Sequence, residues 1–143
     1  MSSTQALKEL LMSWRHHLHR YPETGFEEHK TAEFINHTLS DMGLEVTSGI
    51  GGTGLIASIR RGTSENAVAI RADMDALNIC EASSQRQYTS QHQGKMHACG
   101  HDGHIVNTPY LTQHHRRIIK PPVCTRQVSY HSVNHGVFRC YKP

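Results

Sequence analysis

The chain has 143 residues, of which 36% are hydrophobic and 6% aromatic, enough for one modest domain with a real core and no more. Its formal net charge is +3, but Lys and Arg are spread along the sequence without interleaved aromatics, which argues against a nucleic-acid partner, and no apolar run approaches the length of a membrane span. Cys80, Cys99, Cys124 and Cys140 form no Cys-x-x-Cys pair and the first residues lack the pattern of a secretory leader, so a cytoplasmic chain with reduced thiols is expected.

From Thr4, Leu7, Leu10, Leu11, Trp14 and Leu18 recur at helical spacing, with Ser3 or Thr4 as N-cap and Pro22 past the end, which predicts an amphipathic helix. A second helix is predicted from about Glu27, with Ala32, Ile35, Leu39 and Met42 on one face and Gly43 as a left-handed stop. Short strands follow at Leu44 to Val46, Leu55 to Ile59 and Ala67 to Ile70, the last two joined by a turn over Gly62 to Asn66. This order suits an α/β layer in which two helices cover one face of a sheet. Gly49, Gly51 and Gly54 formally satisfy G-x-G-x-x-G, but they lead into the alternating run Leu55 to Ile59 and not into a helix. A strand-entry turn, and no dinucleotide site, is the reading. Residues 105–143 hold four of the five prolines, the cluster His114 to Arg117 and no sustained pattern, so they are expected to be irregular and loosely packed.

The chemistry is concentrated in Met96-His97-Ala98-Cys99-Gly100-His101-Asp102-Gly103-His104. Cys99 and His101 stand two apart, so a tightly turned backbone can point both the same way, and thiolate with imidazole suits zinc and similar divalent ions. A chance cluster in a chain with 13 histidines is the bland alternative, but the Gly-flanked alternation is hard to reach by composition alone. Asp73 and Asp75, in Arg71-Ala72-Asp73-Met74-Asp75-Ala76-Leu77, follow a predicted strand directly. Considered alone they read as turn residues; beside a Cys/His cluster a carboxylate can orient a ligand.

Arg15-His16-His17-Leu18-His19-Arg20-Tyr21-Pro22-Glu23, Glu28, Thr31-Ala32, Gly52-Thr53-Gly54, the Arg71 to Leu77 block and Gly94 through His104 together resemble the amidohydrolases of the M20 metallopeptidase family, which hydrolyse N-acyl amino acids, hippurate and auxin conjugates. The resemblance runs in order from about residue 10 to 104. It implies a partial zinc-peptidase-like catalytic domain, with two N-terminal helices packed on a truncated sheet. It further implies a two-metal centre, zinc or manganese, in which the ions act as Lewis acids on an amide and lower the pKa of the attacking water. Carried over by position, Cys99 and His101 fall where the family places metal ligands, and Asp75 where it keeps a catalytic Asp near the metals; Asp73 is a weaker candidate. His97, Asp102 and His104 are expected to support the ligands' geometry, and Arg15, His19 and Glu23 to brace the fold. The implied substrate is a small N-acyl amino acid, and the intact family forms homodimers.

Departures accompany the match. Family members are more than twice as long and continue past this block into an Ala/Leu-rich helix, where this chain has Ile105-Val106-Asn107-Thr108-Pro109. They also supply a Glu-Glu pair, whose first member is the general base, further histidine ligands and a lid domain; here no Glu follows Glu81, and Asn78 replaces a usual Pro. The expectation is therefore an N-terminal fragment, residues 1–104, followed by a divergent tail, 105–143, read out of frame or replaced, with little or no activity. Two other readings stand beside it. One is a small metal-binding module that recruits Cys124, His131, His135 and Cys140 from the tail. The other is a non-catalytic fragment that associates with an intact homologue through an open sheet edge.

Overall fold

The computed structural model of the chain describes residues 3–59, 68–82, 87–114 and 138–139. Helix α1 spans Ser3–Arg20 and helix α2 spans His29–Asp41. Strands β1 (Glu45–Ile50) and β2 (Gly54–Ser58) follow, then β3 (Val68–Ala69), helix α3 (His101–His114) and β4 (Phe138–Arg139). Both N-terminal helices form where apolar periodicity predicts them. Helix α2 stops as expected: Gly43 adopts φ +75° and donates its N–H to the Ser40 carbonyl at 2.8 Å, while the Leu44 N–H returns to Leu39 at 3.1 Å.

Strands β1 and β2 make an antiparallel hairpin with Val46 opposite Ala57 and Ser48 opposite Leu55, broken by a bulge between Ser48 and Ile50. The glycine cluster is this hairpin's turn. Gly49, Gly51 and Gly52 all have positive φ, and a Cβ on Gly54 would run into the Ile50 carbonyl, so these glycines serve strand reversal. One correction concerns the sheet. Strand β3 does not join β1 and β2; it pairs with β4, Val68 against Arg139 and Ala69 against Phe138, so the described residues hold two separate two-stranded ladders. The expected turn at Gly62 to Asn66 lies outside the described residues.

A second correction concerns the helices. Helix α2 packs on the hairpin, whereas α1 packs mainly on α3. The core accordingly joins Leu18 of α1, Ile35 and Leu39 of α2, and Ile105 and Val106 of α3, with Leu11, Trp14, Leu44, Val46, Leu55 and Ala57 against it. Residues 105–114, expected to be irregular, are helical, and the boundary expected at residue 104 falls inside α3. The physical reason is tertiary: Ile105 and Val106 are adjacent and give no helical stripe, yet both are buried against α1 and α2. Residues 115–137, with the proposed tail ligands Cys124, His131 and His135, and residues 140–143, with Cys140, lie outside the described residues.

Candidate metal centre

The segment carrying Asp75 is held between two others by its backbone. The Ala76 N–H donates to the Glu23 carbonyl at 2.7 Å, and Leu77 exchanges both of its backbone hydrogen bonds with Met96 at 3.0 Å. The turn before α3 is fixed in the same region: His92 Nδ1 donates to the Pro22 carbonyl at 2.8 Å, and Lys95 Nζ pairs with Glu27 at 2.9 Å. Gly100, at φ +82°, then redirects the chain into α3, and the Gly103 and His104 N–H groups both return to its carbonyl. The result brings His101, the first residue of α3, onto Asp75. His101 Nδ1 lies 2.9 Å from the Asp75 carbonyl oxygen and 3.0 Å from Oδ1.

Both atoms facing Nδ1 are acceptors, so Nδ1 carries the proton and donates, and in the neutral ring Nε2 is left with its lone pair. This is the arrangement of a metal-ligating histidine oriented by a carboxylate. Cys99, two residues earlier, has an exposed, unpaired thiol. The donor chemistry therefore fits a divalent ion at Cys99 and His101, with Asp75 behind the histidine. Among the described residues no three His, Cys, Asp or Glu side chains converge closely enough to hold an ion. Asp73 is turned elsewhere: it pairs with Arg71 at 2.7 Å on the surface.

A second cluster lies behind this loop. Asp102 is fully buried; its Oδ2 accepts from His19 Nδ1 at 2.9 Å and from Arg15 Nε at 3.3 Å, and its Oδ1 accepts the Gly103 N–H at 2.9 Å. His19 reaches on to Glu81 through Nε2 at 3.4 Å. Arg15 and His19 thus brace the fold as the sequence suggests, but the partner that joins them is not visible in any local pattern. His97 sits between the two clusters. It is buried, neither ring nitrogen has a hydrogen-bond partner, and burial holds its pKa below the ordinary histidine value, with the Asp102 and Asp75 carboxylates opposing that shift. His104 is exposed, its ring 5.7 Å from that of His101. A groove of about 490 Å³ between α1 and the start of α3 includes Arg15, Gly100, Asp102 and Val106, but not Asp75, Cys99 or His101.

A carboxylate-oriented histidine and an exposed thiol two residues before it on a glycine-turned loop are donor types suited to a divalent ion. The family model described as peptidase family M20/M25/M40 matches residues 69–112, which takes in Asp75, Cys99 and His101 and runs past His104 into α3. Over these residues the chain matches the M20 peptidase family. It is 43% identical over 93 residues to the hippurate hydrolase of Campylobacter jejuni, covering 65% of this chain and 24% of that protein. To the N-acyl-L-amino acid amidohydrolase of Geobacillus stearothermophilus it is 44% identical over 100 residues, 70% of this chain and 27% of that protein. Among solved structures it resembles the YxeP protein of Bacillus subtilis, a dinuclear metal-binding peptidase of the M20 family, with a TM-score of 0.71 at 35% identity, over 82% of this chain and 34% of that one. The chain thus spans about a quarter of the length of the curated relatives it matches. No helix among the described residues is long and apolar enough to cross a membrane.

Proposed function

We propose that this chain carries one part of the metal centre of an amidohydrolase that cleaves the amide bond of small N-acyl amino acids. Cys99 and His101 are its metal ligands and Asp75 its catalytic carboxylate. The observation that carries this reading is the double hydrogen bond from His101 Nδ1 to Asp75, which leaves Nε2 for an ion. A bound divalent ion, zinc or manganese, would supply Lewis acidity toward an amide carbonyl. Asp75 fixes the ring and its tautomer, Cys99 offers a thiolate, and Gly100 lets the backbone turn between them. The amidohydrolase and hippurate hydrolase relatives favour an amide substrate flanked by a carboxylate.

We further propose that the 143 residues alone turn over no substrate, because no Glu follows Glu81 to serve as general base and two ligands do not make a two-metal centre. The test combines cobalt or zinc titration of the purified chain with an assay on N-acetyl and N-benzoyl amino acids. Metal binding that is lost in Cys99→Ser and His101→Ala, without turnover, is the expected result. Chelator-sensitive turnover overturns the inactivity; a chain that binds no ion, or binds it equally well in both variants, overturns the ligand assignment. The tail expected to diverge from residue 105 we read as translated out of frame or otherwise replaced, from beyond residue 112, where the family match ends. Translation of the other two frames should yield an Ala/Leu-rich helix followed by a Glu-Glu pair, and its absence from both removes this reading.

A further inference from the structure

We propose that His19 is a positioning residue for His101: by holding Asp102 it fixes the start of α3 and so keeps the His101 ring on Asp75. The inference rests on the metal-centre reading only in taking His101 as a ligand. Asp102 and His101 are the first two residues of α3 that could swing the loop, and they are fixed from opposite sides. His101 is held by Asp75 through Nδ1, whereas Asp102 is held by α1, through His19 at 2.9 Å and Arg15 at 3.3 Å. Both Asp102 oxygens are occupied, since Oδ1 takes the Gly103 N–H within the same helix turn. His19 is itself anchored. Glu81, 3.4 Å from its Nε2, accepts the Ser90 N–H through its other oxygen at 2.7 Å, and the end of α1 is tied to the same stretch by Gln91 N–H to the Arg20 carbonyl at 2.8 Å.

Successive helix residues are rotated by about 100°, so a turn of α3 that frees Asp102 carries His101 away from Asp75. Displacements of about 1 Å are enough to spoil a site of this kind. A wholly buried carboxylate is also costly unless paired, and pairing rarely outdoes an apolar substitute in stability alone. What the pair does provide is a single permitted register between α1 and the first turn of α3.

The test separates the two ring nitrogens of His19. An Asn side-chain amide nitrogen takes the place of Nδ1, and a Gln one the place of Nε2, so His19→Asn keeps the Asp102 contact and His19→Gln loses it. Histidine ring nitrogens are recorded by NMR on the full metal-free chain at one fixed pH, with helix content followed by circular dichroism. Wild type and His19→Asn should show His101 as one Nδ1–H tautomer, and His19→Gln should show it averaged between tautomers. Cobalt, added next, should bind about tenfold more weakly to His19→Gln than to the other two. A fixed tautomer in His19→Gln, or its loss in both variants alike, overturns the proposal. If His19→Gln loses its helix signal, His19→Asn decides against wild type: it keeps the Asp102 contact and so should keep the single His101 tautomer, and averaged tautomers in the folded variant overturn the proposal. A split between the variants in a chain that binds no cobalt defeats the metal reading and upholds the positioning. Cobalt binding without the split does the reverse.

Discussion

His101 Nδ1 donates to two acceptors of one residue, the main-chain oxygen of Asp75 at 2.9 Å and its carboxylate at 3.0 Å. Removing the carboxylate leaves the ring on a single acceptor. Asp75→Ala should therefore weaken cobalt or zinc binding about 10–100-fold, with Asp75→Asn, which retains an acceptor oxygen, closer to wild type. The side chain is 36% exposed, so the unfolding free energy should change by less than about 0.5 kcal/mol. Metal titration beside urea unfolding checks both; equal affinity in all three proteins would show that Asp75 does not orient the ligand.

Glu23 caps α2 from outside the helix. Its two oxygens accept the Lys30 N–H at 3.2 Å and the Thr31 N–H at 2.8 Å, while Glu28, at the N-cap position, makes no side-chain cap and accepts instead from Thr53. Glu23→Ala should cost about 1 kcal/mol, and Glu23→Gln less, because one acceptor oxygen remains for the Thr31 N–H while the second hydrogen bond and the charge at the helix dipole are lost. The measurement is the urea midpoint; no loss in Glu23→Ala would mean that water satisfies these amides equally well.

Acid should destabilise the metal-free chain through His97. Burial lowers its pKa from the ordinary 6.5, so as pH falls through that value the unfolded chain takes up a proton that the folded chain does not. Stability then falls with pH until the lowered folded pKa is passed, where this contribution levels off. His17, lowered by burial and by Arg20, acts with the same sign. Thermal unfolding between about pH 8 and about pH 5 should show a shallower decline in His97→Leu than in wild type. At the alkaline end the variant should be at least as stable, since it removes two buried ring nitrogens without partners. Parallel curves for the two proteins would remove His97 as a source of the acid sensitivity.

The start of α3 belongs to the core and should behave accordingly. Ile105 is 4% exposed and Leu18 is 2% exposed in the same cluster, so Ile105→Ala and Leu18→Ala should each cost about 2–5 kcal/mol. A cost under about 0.5 kcal/mol for Ile105→Ala, the range of surface changes, would detach α3 from the core.

The parts legible in the sequence are those whose burial is periodic. Leu11, Trp14 and Leu18 declare α1, Ile35 and Leu39 declare α2, and Gly43 marks its end, because one-sided burial and chain reversal leave local signatures. Helix α3 leaves none: its buried apolar residues are neighbours, Pro109 lies inside it, and its place comes from surfaces presented by α1 and α2. The chemistry shows the same contrast. Cys99 and His101 are close in sequence and stand out, and the Asp75 block is recognisable beside them. The contact between Asp102 and His19 spans 83 residues, and no spacing rule reaches that far.

That span also governs how the chain can assemble during synthesis. A ribosome adds about 5–20 residues per second, so α1 is exposed for roughly 4–17 s before Asp102 has even been made. Throughout that interval Leu11, Trp14 and Leu18 have no α3 to pack against, and long-range contacts of this kind slow folding further. The first helix to be translated waits for the last described one, and its apolar stripe is what a nascent-chain chaperone would meet.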